Sequence, residues 1–492
     1  MPRNLKFALV GVAVTTLALP AGSGIAQTRV ATQQVQSISA KDRQEGAQAH
    51  PQLIAEFGGA ETGPQATYVE GIGKNIAIQS GLGNARSDFT VTLLNSPVDN
   101  AFAVPGGYIY VTRQLVALMN NEAELAGVLG HEIGHVAARH AAKRQSAATR
   151  NSILGVLGQV LAGAVLGNSA AGQIGQKLFG QGSQLLTLKF SRAQETEADN
   201  LGVSYLQRAG YDPRAMSTVL QSLANQNVLD ARLMGSANQV PEWASTHPDP
   251  ASRVRAALVR AGANATGITN RDTFLSRIDG LRYGDDPRQG VVEGRKFTHP
   301  EYRMTFDAPN GFFLMNGTRA VSISGQSGKG QFSTAAYSGS LESYIRSVFA
   351  GLTEQGQAQI SPDTIQRTTV NGIPAAYGTA RVTSNGSQVD VVVFAYEWSS
   401  DQAFHFLTIS QAGSASTFNS MFSSMRRISV AEAAAVKPRK LVVVTARRGD
   451  TVQSLASRMA YADAPLDRFR VLNGLGANST IVVGQKVKLV TY

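Results

Sequence analysis

No cysteine occurs in the 492 residues, which excludes a disulfide-stapled scaffold and any thiolate chemistry. The same absence removes the thiol that a lipid anchor near an N-terminal cleavage point would need. Charged side chains make up only 16%, and although 45 basic residues outnumber 34 acidic ones, the basic residues never form a run of five or six. A net charge of +11 scattered in this way does not describe a charge-driven polynucleotide binder, so nucleic acid is not an expected partner. The apolar run from Phe7 to Leu19 falls short of the roughly 20 residues that span a bilayer. What remains is a chain with 43% apolar residues, long enough for two or three packed domains.

Arg3 and Lys6 precede that apolar run, and Pro20 and the small residues Ala21 to Gly24 follow it. With Gly24-Ile25-Ala26 as a small-x-small cleavage pattern, residues 1–26 read as a secretory signal peptide. Its removal takes away two basic and no acidic side chains, lowering +11 to +9 and leaving a chain expected to be soluble or peripherally bound. Anionic polymers and lipids of an envelope then become weak, salt-dependent partners.

The next 230 or so residues are mostly helical in pattern. Tyr68, Ile72 and Ile76 share one helical face, and Phe89 to Leu94 alternates like a strand. A second extended run, Ala101 to Thr112, contains Pro105-Gly106-Gly107 and suits an edge or a bulge. Asn121 and Glu124 form an Asn-x-x-Glu start to a helix running to about Lys143. Residues 152–190, rich in Gly, Ala, Leu and Gln, read as a loosely packed helix pair, or else as a mobile lid or membrane-dipping hairpin. Ser191 to Arg208 is another helix, and further ones cover Ala215 to Asn225 and Ala251 to Arg260. After about Gly284 strands dominate, with a hairpin at Asn385-Gly386 and helices over Leu341 to Leu352 and Ser416 to Met425.

The chemistry concentrates in His131-Glu132-Ile133-Gly134-His135. Residues four apart share a helix face, so His131 and His135 can present two imidazoles to one ion, with Glu132 turned aside to reach a water. A catalytic zinc needs a third ligand and an open fourth position. His140 stands one residue off the spacing that would supply a third histidine and reads as structural, which sends the search to a second helix. In Ser191-Arg-Ala-Gln-Glu195-Thr-Glu197-Ala-Asp199, Glu195 and Asp199 share a face while Glu197 points elsewhere. One of the two can bind the metal and the other can accept the free ring N–H of a ligating histidine.

These two motifs, together with Asn100-Ala-Phe-Ala-Val-Pro-Gly-Gly-Tyr-Ile-Tyr110, resemble the HtpX, Oma and BepA-like zinc metallopeptidases over about Ser39 to Arg260. The resemblance implies a mainly helical, gluzincin-type domain with a small sheet, one zinc on His131, His135 and Glu195, and Glu132 as general base. Asp199 then supports a ligating histidine. His247 and Arg253, in Ser245-Thr-His-Pro-Asp-Pro-Ala-Ser-Arg253, resemble the family's His-Pro segment. His247 with Arg253 would stabilise the transition state, or His247 would ligate the zinc and hold the enzyme latent. Tyr108 and Tyr110 lie on a strand read as an edge beside the site, where an extended substrate adds by strand pairing, or else as an internal strand.

Residues 441–492 read as strand, helix, helix, strand and resemble a LysM domain, a peptidoglycan-binding module that also occurs as a protein-interaction module. The expected organisation is an α+β multidomain chain: signal peptide 1–26, zinc metallopeptidase domain 27–265, small α+β accessory domain 290–430, linker 431–440 and βααβ LysM-like domain 441–492. His299 and His405 in the accessory domain read as structural. The resemblance implies a periplasmic endopeptidase of a Gram-negative bacterium that cleaves misassembled envelope proteins, with polypeptides, peptidoglycan and outer-membrane assembly machinery as partners. The rival is a non-proteolytic chaperone or scaffold that uses the same groove to hold clients.

Overall fold

The computed structural model describes residues 37–145, 190–233, 247, 250–262, 264–352, 360–384 and 387–492. The expected signal peptide, residues 152–189 of the Gly- and Ala-rich stretch, and all of the His-Pro segment before Pro250 except His247 lie outside them.

The first part of the chain alternates helices with one small sheet: α1 (Ala40–Glu56), α2 (Pro64–Ile78), α3 (Ala85–Asp88), β1 (Thr90–Leu94), β2 (Ala101–Val104), β3 (Tyr108–Thr112), α4 (Arg113–Leu118), α5 (Glu122–Ala137) and α6 (His140–Gln145). Then come α7 (Arg192–Arg208), α8 (Ala215–Leu233), α9 (Pro250–Ala261) and α10 (Arg271–Ile278). Local chemistry starts these helices. The Asn121 side chain accepts the Glu124 N–H at 3.0 Å, while the Glu124 carboxylate reaches one residue further back, to the Asn120 N–H at 2.7 Å. Ser191 and Gln194 close a reciprocal capping box on α7.

Two expectations change here. The extended run of residues 101–112 is a hairpin, because Gly106 and Gly107 take φ values of 92° and 84° and bring Val104 opposite Tyr108. The strand order is β1-β3-β2, with β1 parallel and β2 antiparallel to β3. Tyr108 and Tyr110 therefore lie on the central strand rather than on an edge. Both sides of β3 are already hydrogen-bonded, and the buried Tyr110 hydroxyl sits 2.7 Å from His50 Nδ1. The edge is β2.

The helix expected from Asn121 to about Lys143 also breaks. It ends at Ala137, Arg139 adopts the left-handed conformation at φ 54°, and α6 restarts at His140. A non-glycine residue there costs on the order of 1 kcal/mol, and nothing in the residue types announces it.

The second half is strand-rich: β4 (Arg282–Tyr283), β5 (Val291–Glu293), β6 (Lys296–His299), β7 (Met304–Asp307), β8 (Phe312–Asn316), β9 (Ala320–Gly325), β10 (Gly328–Ala336), α11 (Leu341–Ala350), β11 (Thr364–Val370), β12 (Ile373–Ser384), β13 (Ser387–Ser399), β14 (Gln402–Gln411), α12 (Asn419–Ser424) and β15 (Arg426–Arg427). One antiparallel sheet runs β11-β12-β13-β14-β10-β9-β8 and another β15-β7-β6-β5. Phenylalanines 306, 332, 406 and 422 pack in one core there, and α11 closes a second core over β12 and β13. β12 and β13 pair as far as Ser384 opposite Ser387, which leaves a two-residue connection at the expected Asn-Gly turn; those two residues lie outside the described ones.

A short helix, α13 (Val430–Ala435), occupies the expected linker, capped reciprocally by Ser429 and Glu432. The C-terminal elements are β16 (Arg439–Thr445), α14 (Val452–Ala456), α15 (Pro465–Leu472) and β17 (Lys486–Thr491). They do not stand apart as a separately packed unit. β16 pairs with β17 on one side and β4 on the other, and Leu455, Phe469, Val487 and Leu489 join the same core as Ile72, Leu118 and Leu129. Lys488 is fully buried, and its Nζ donates to the carbonyls of Ala117, Leu118 and Met119 at 2.8, 3.1 and 2.5 Å. Those are orphan carbonyls at the end of α4, so a lysine of the C-terminal part caps a helix of the N-terminal part.

Candidate metal centre

The site is built where α5 crosses α7. Close approach requires glycine on both sides: a Cβ on Gly134 would stand 3.2 Å from the Ala198 carbonyl oxygen, and one on Gly202 would stand 3.2 Å from the His131 nitrogen. The start of α5 is held by Glu122, whose carboxylate accepts from the Tyr68 and Tyr211 hydroxyls and from Asn270 Nδ2. Helix α9 packs against α7 and α8 and delivers Arg253 from the third side.

One ring nitrogen or carboxylate oxygen from each of His131, His135, Glu195 and His247 lies within 4.8 Å of all the others, and all four residues are buried. The Nε2 atoms of His131 and His135 are 3.0 Å apart. Two imidazole nitrogens at that distance repel unless a proton or a cation lies between them. Glu195 approaches His131 Nε2 at 3.6 Å and His135 Nε2 at 3.5 Å. Both its oxygens are buried without a hydrogen-bond partner, as is Glu132 Oε1. Buried carboxylate oxygens without donors are costly. A cation would satisfy them, so the donor set of two imidazoles and one carboxylate fits a zinc ion.

Asp199 and Arg253 form the support behind the ligand atoms. Asp199 Oδ1 lies 2.9 Å from His131 Nδ1, which fixes the ring so that Nε2 faces the cluster. Arg253 donates to Asp199 through Nε at 2.7 Å and Nη2 at 2.6 Å. Its Nη1 stands 2.8 Å from Glu195 Oε2, an ion-pair contact without hydrogen-bond alignment. Burial opposes charge on Asp199, but the hydrogen bonds from Arg253 and His131 outweigh it and hold its pKa well below the usual carboxylate range. On His131 burial is likewise outweighed, by Asp199 and Glu195, and the pKa rises. On His135, burial reinforced by the surrounding cationic and imidazole groups drives it well down. Arg253 thus spends Nε and Nη2 on Asp199, while its Nη1 makes no hydrogen bond.

His247 faces Glu132, with Nε2 3.3 Å from Glu132 Oε1, and its ring centroid is 5.3 Å from that of His131. Tyr108 and Tyr110 pack with His50, Phe102 and Leu53. His140, read as structural in the sequence, does contact the ligand cluster. His140 Nδ1 lies 2.9 Å from His135 Nδ1, and His140 Nε2 lies 3.1 Å from Glu197 Oε2. Phe190 stacks on the His135 ring with centroids 3.9 Å apart. The helix break at Arg139 makes the His140 contact possible, since an unbroken helix would point residue 140 away from His135.

Residues 64–261 match the family model described as Peptidase family M48, and residues 444–490 match that of the LysM domain. The beta-barrel assembly-enhancing protease of Yersinia pestis is 36% identical over 197 residues, covering 39% of this chain and 38% of its own length. The protein of that name from Escherichia coli (strain K12) is 32% identical over 215 residues, 43% of this chain and 42% of its own. Mitochondrial metalloendopeptidase OMA1 of Schizosaccharomyces pombe is 31% identical over 210 residues, 42% of this chain and 57% of its own. The chain thus spans from under half to little more than half of the length of these relatives. With these motifs in their expected order along α5 and α7, the chain carries a peptidase M48 domain over residues 64–261, combined with a LysM domain over residues 444–490.

Proposed function

We propose that the chain is a zinc-dependent endopeptidase of a bacterial cell envelope, acting on misfolded or misassembled envelope proteins. The observation that carries this reading is the convergence of His131, His135 and Glu195, whose buried carboxylate oxygens accept no hydrogen bond. His131, His135 and Glu195 hold one zinc ion in a gluzincin-type arrangement. A zinc ion in that place supplies water activation and polarisation of the scissile carbonyl. Glu132 accepts the proton of the attacking water and passes it to the leaving amine. Asp199 orients His131, and Arg253 holds Asp199 and Glu195 in register. An extended polypeptide pairs along the β2 edge, where backbone hydrogen bonds bind with little sequence choice.

The envelope setting is supported by the N-terminal signal pattern, by the LysM domain and by the names of the relatives. Among the described residues no helix is long and apolar enough to cross a membrane. The domain organisation is a peptidase domain over 27–265, an accessory domain over 290–430 that presents substrate or binds a partner, and a LysM domain over 441–492. The LysM domain binds peptidoglycan, and outer-membrane assembly factors are the expected protein partners.

The test is casein cleavage by wild type and Glu132→Gln, with zinc content measured in both. Wild type should cleave in a chelator-sensitive way, and the variant should keep its zinc while losing about 100-fold or more in rate. Zinc binding without chelator-sensitive cleavage by the wild type would leave a chaperone or scaffold as the function.

A further inference from the structure

The two histidines of the metal cluster are held in different ways. His131 Nδ1 meets the buried Asp199 carboxylate directly, whereas His135 Nδ1 meets another imidazole, that of the fully buried His140. His140 in turn reaches Glu197, whose side chain is 49% exposed. Only one proton arrangement lets every contact in this chain be a hydrogen bond while His135 Nε2 keeps a lone pair. His135 carries its proton on Nδ1 and donates to His140 Nδ1; His140 carries its proton on Nε2 and donates to Glu197. Phe190 stacks on His135 and lies beside His140, which restricts rotation of both rings. The left-handed Arg139 exists in this context: it ends α5 and turns residue 140 back onto His135.

We propose that His140 and Glu197 are positioning residues for the metal centre, a hydrogen-bonded relay from the surface that fixes the tautomer and ring orientation of His135. The inference rests on the zinc-site reading above. It assigns no contact with substrate to either residue. Because His140 is buried, its removal leaves the His135 Nδ1–H without an acceptor; because Glu197 is half exposed, water replaces much of what it does.

The test is zinc affinity of the full chain, measured by competition with a chromophoric chelator, in wild type and four variants. His140→Ala should weaken zinc binding about tenfold to a hundredfold, as loss of a partner behind a metal ligand does. His140→Asn, whose Oδ1 can accept the His135 proton, should stay within about threefold of wild type. Glu197→Gln, which can still accept from His140, should also stay within about threefold, with Glu197→Ala between it and His140→Ala. On the zinc-loaded chain with nitrogen-labelled histidine, NMR should find His135 protonated at Nδ1 and His140 at Nε2. Equal zinc affinity in wild type and His140→Ala, equal losses in the alanine and asparagine chains, or a proton on His140 Nδ1 would each overturn the relay. A wild type that binds no zinc would instead overturn the metal-site reading on which it rests.

Discussion

On the proposed zinc-site reading, His247 sits beside both the ligand set and the base. Its ring lies in the same cluster as the ligand atoms and 3.3 Å from Glu132 Oε1, so in this arrangement it competes with water and substrate for both the metal position and the base. That geometry favours latency over transition-state support. If the closed arrangement holds about nine molecules in ten, His247→Ala should raise kcat/KM about tenfold. A comparable fall in kcat/KM would assign His247 to the transition state, and an unchanged value would remove both roles. At this scale the sequence is most legible where the chemistry demands fixed spacing. His131, Glu132 and His135 follow from one helical period, and Glu195 and Asp199 from another. His140 is not legible in that way, because its contact with His135 depends on a break that residue types do not mark.

Among the elements, the crossing of α5 and α7 decides whether the ligands meet. Gly134 and Gly202 let the two backbones approach, and a Cβ at either position would have no slack against Ala198 or His131. Gly134→Val should force the helices apart at a cost of about 1–3 kcal/mol. It should weaken zinc binding together with thermal stability, because Glu195 rides on the displaced helix; calorimetry with and without zinc would report both. Undiminished zinc affinity in this variant would contradict a site built on close helix approach. The elements themselves are readable from period and caps: α5, α7, α8 and α9 start within a residue or two of their sequence signals. The small sheet is less so. Proline and two glycines between alternating residues serve either a bulge or a turn, and only pairing with β1 settles that Tyr108 and Tyr110 lie on the central strand.

For the whole molecule, the C-terminal LysM domain is part of the peptidase body. Its core residues merge with those under α2, α4 and α5, and β4 extends its sheet. Lys488 ties the two together by capping α4 just before the start of α5, with the buried Glu124 as its nearest countercharge. Burial lowers the pKa of Lys488 and raises that of Glu124, and their mutual attraction opposes both shifts. Lys488→Met should destabilise the full chain by about 3 kcal/mol, since it strands three carbonyls and a buried carboxylate. A calorimetric scan with an unchanged unfolding temperature would contradict that coupling. No composition or motif foretells this docking, because a lysine at an inward strand position reads as an ordinary solvated charge until its acceptors are in view. The central claim, that His131, His135 and Glu195 hold one catalytic zinc, is tested most directly by metal analysis of the purified full chain. Wild type should carry about one zinc per chain, and His135→Ala should lose it. Wild type without zinc, or a His135→Ala chain that keeps it, would contradict the account.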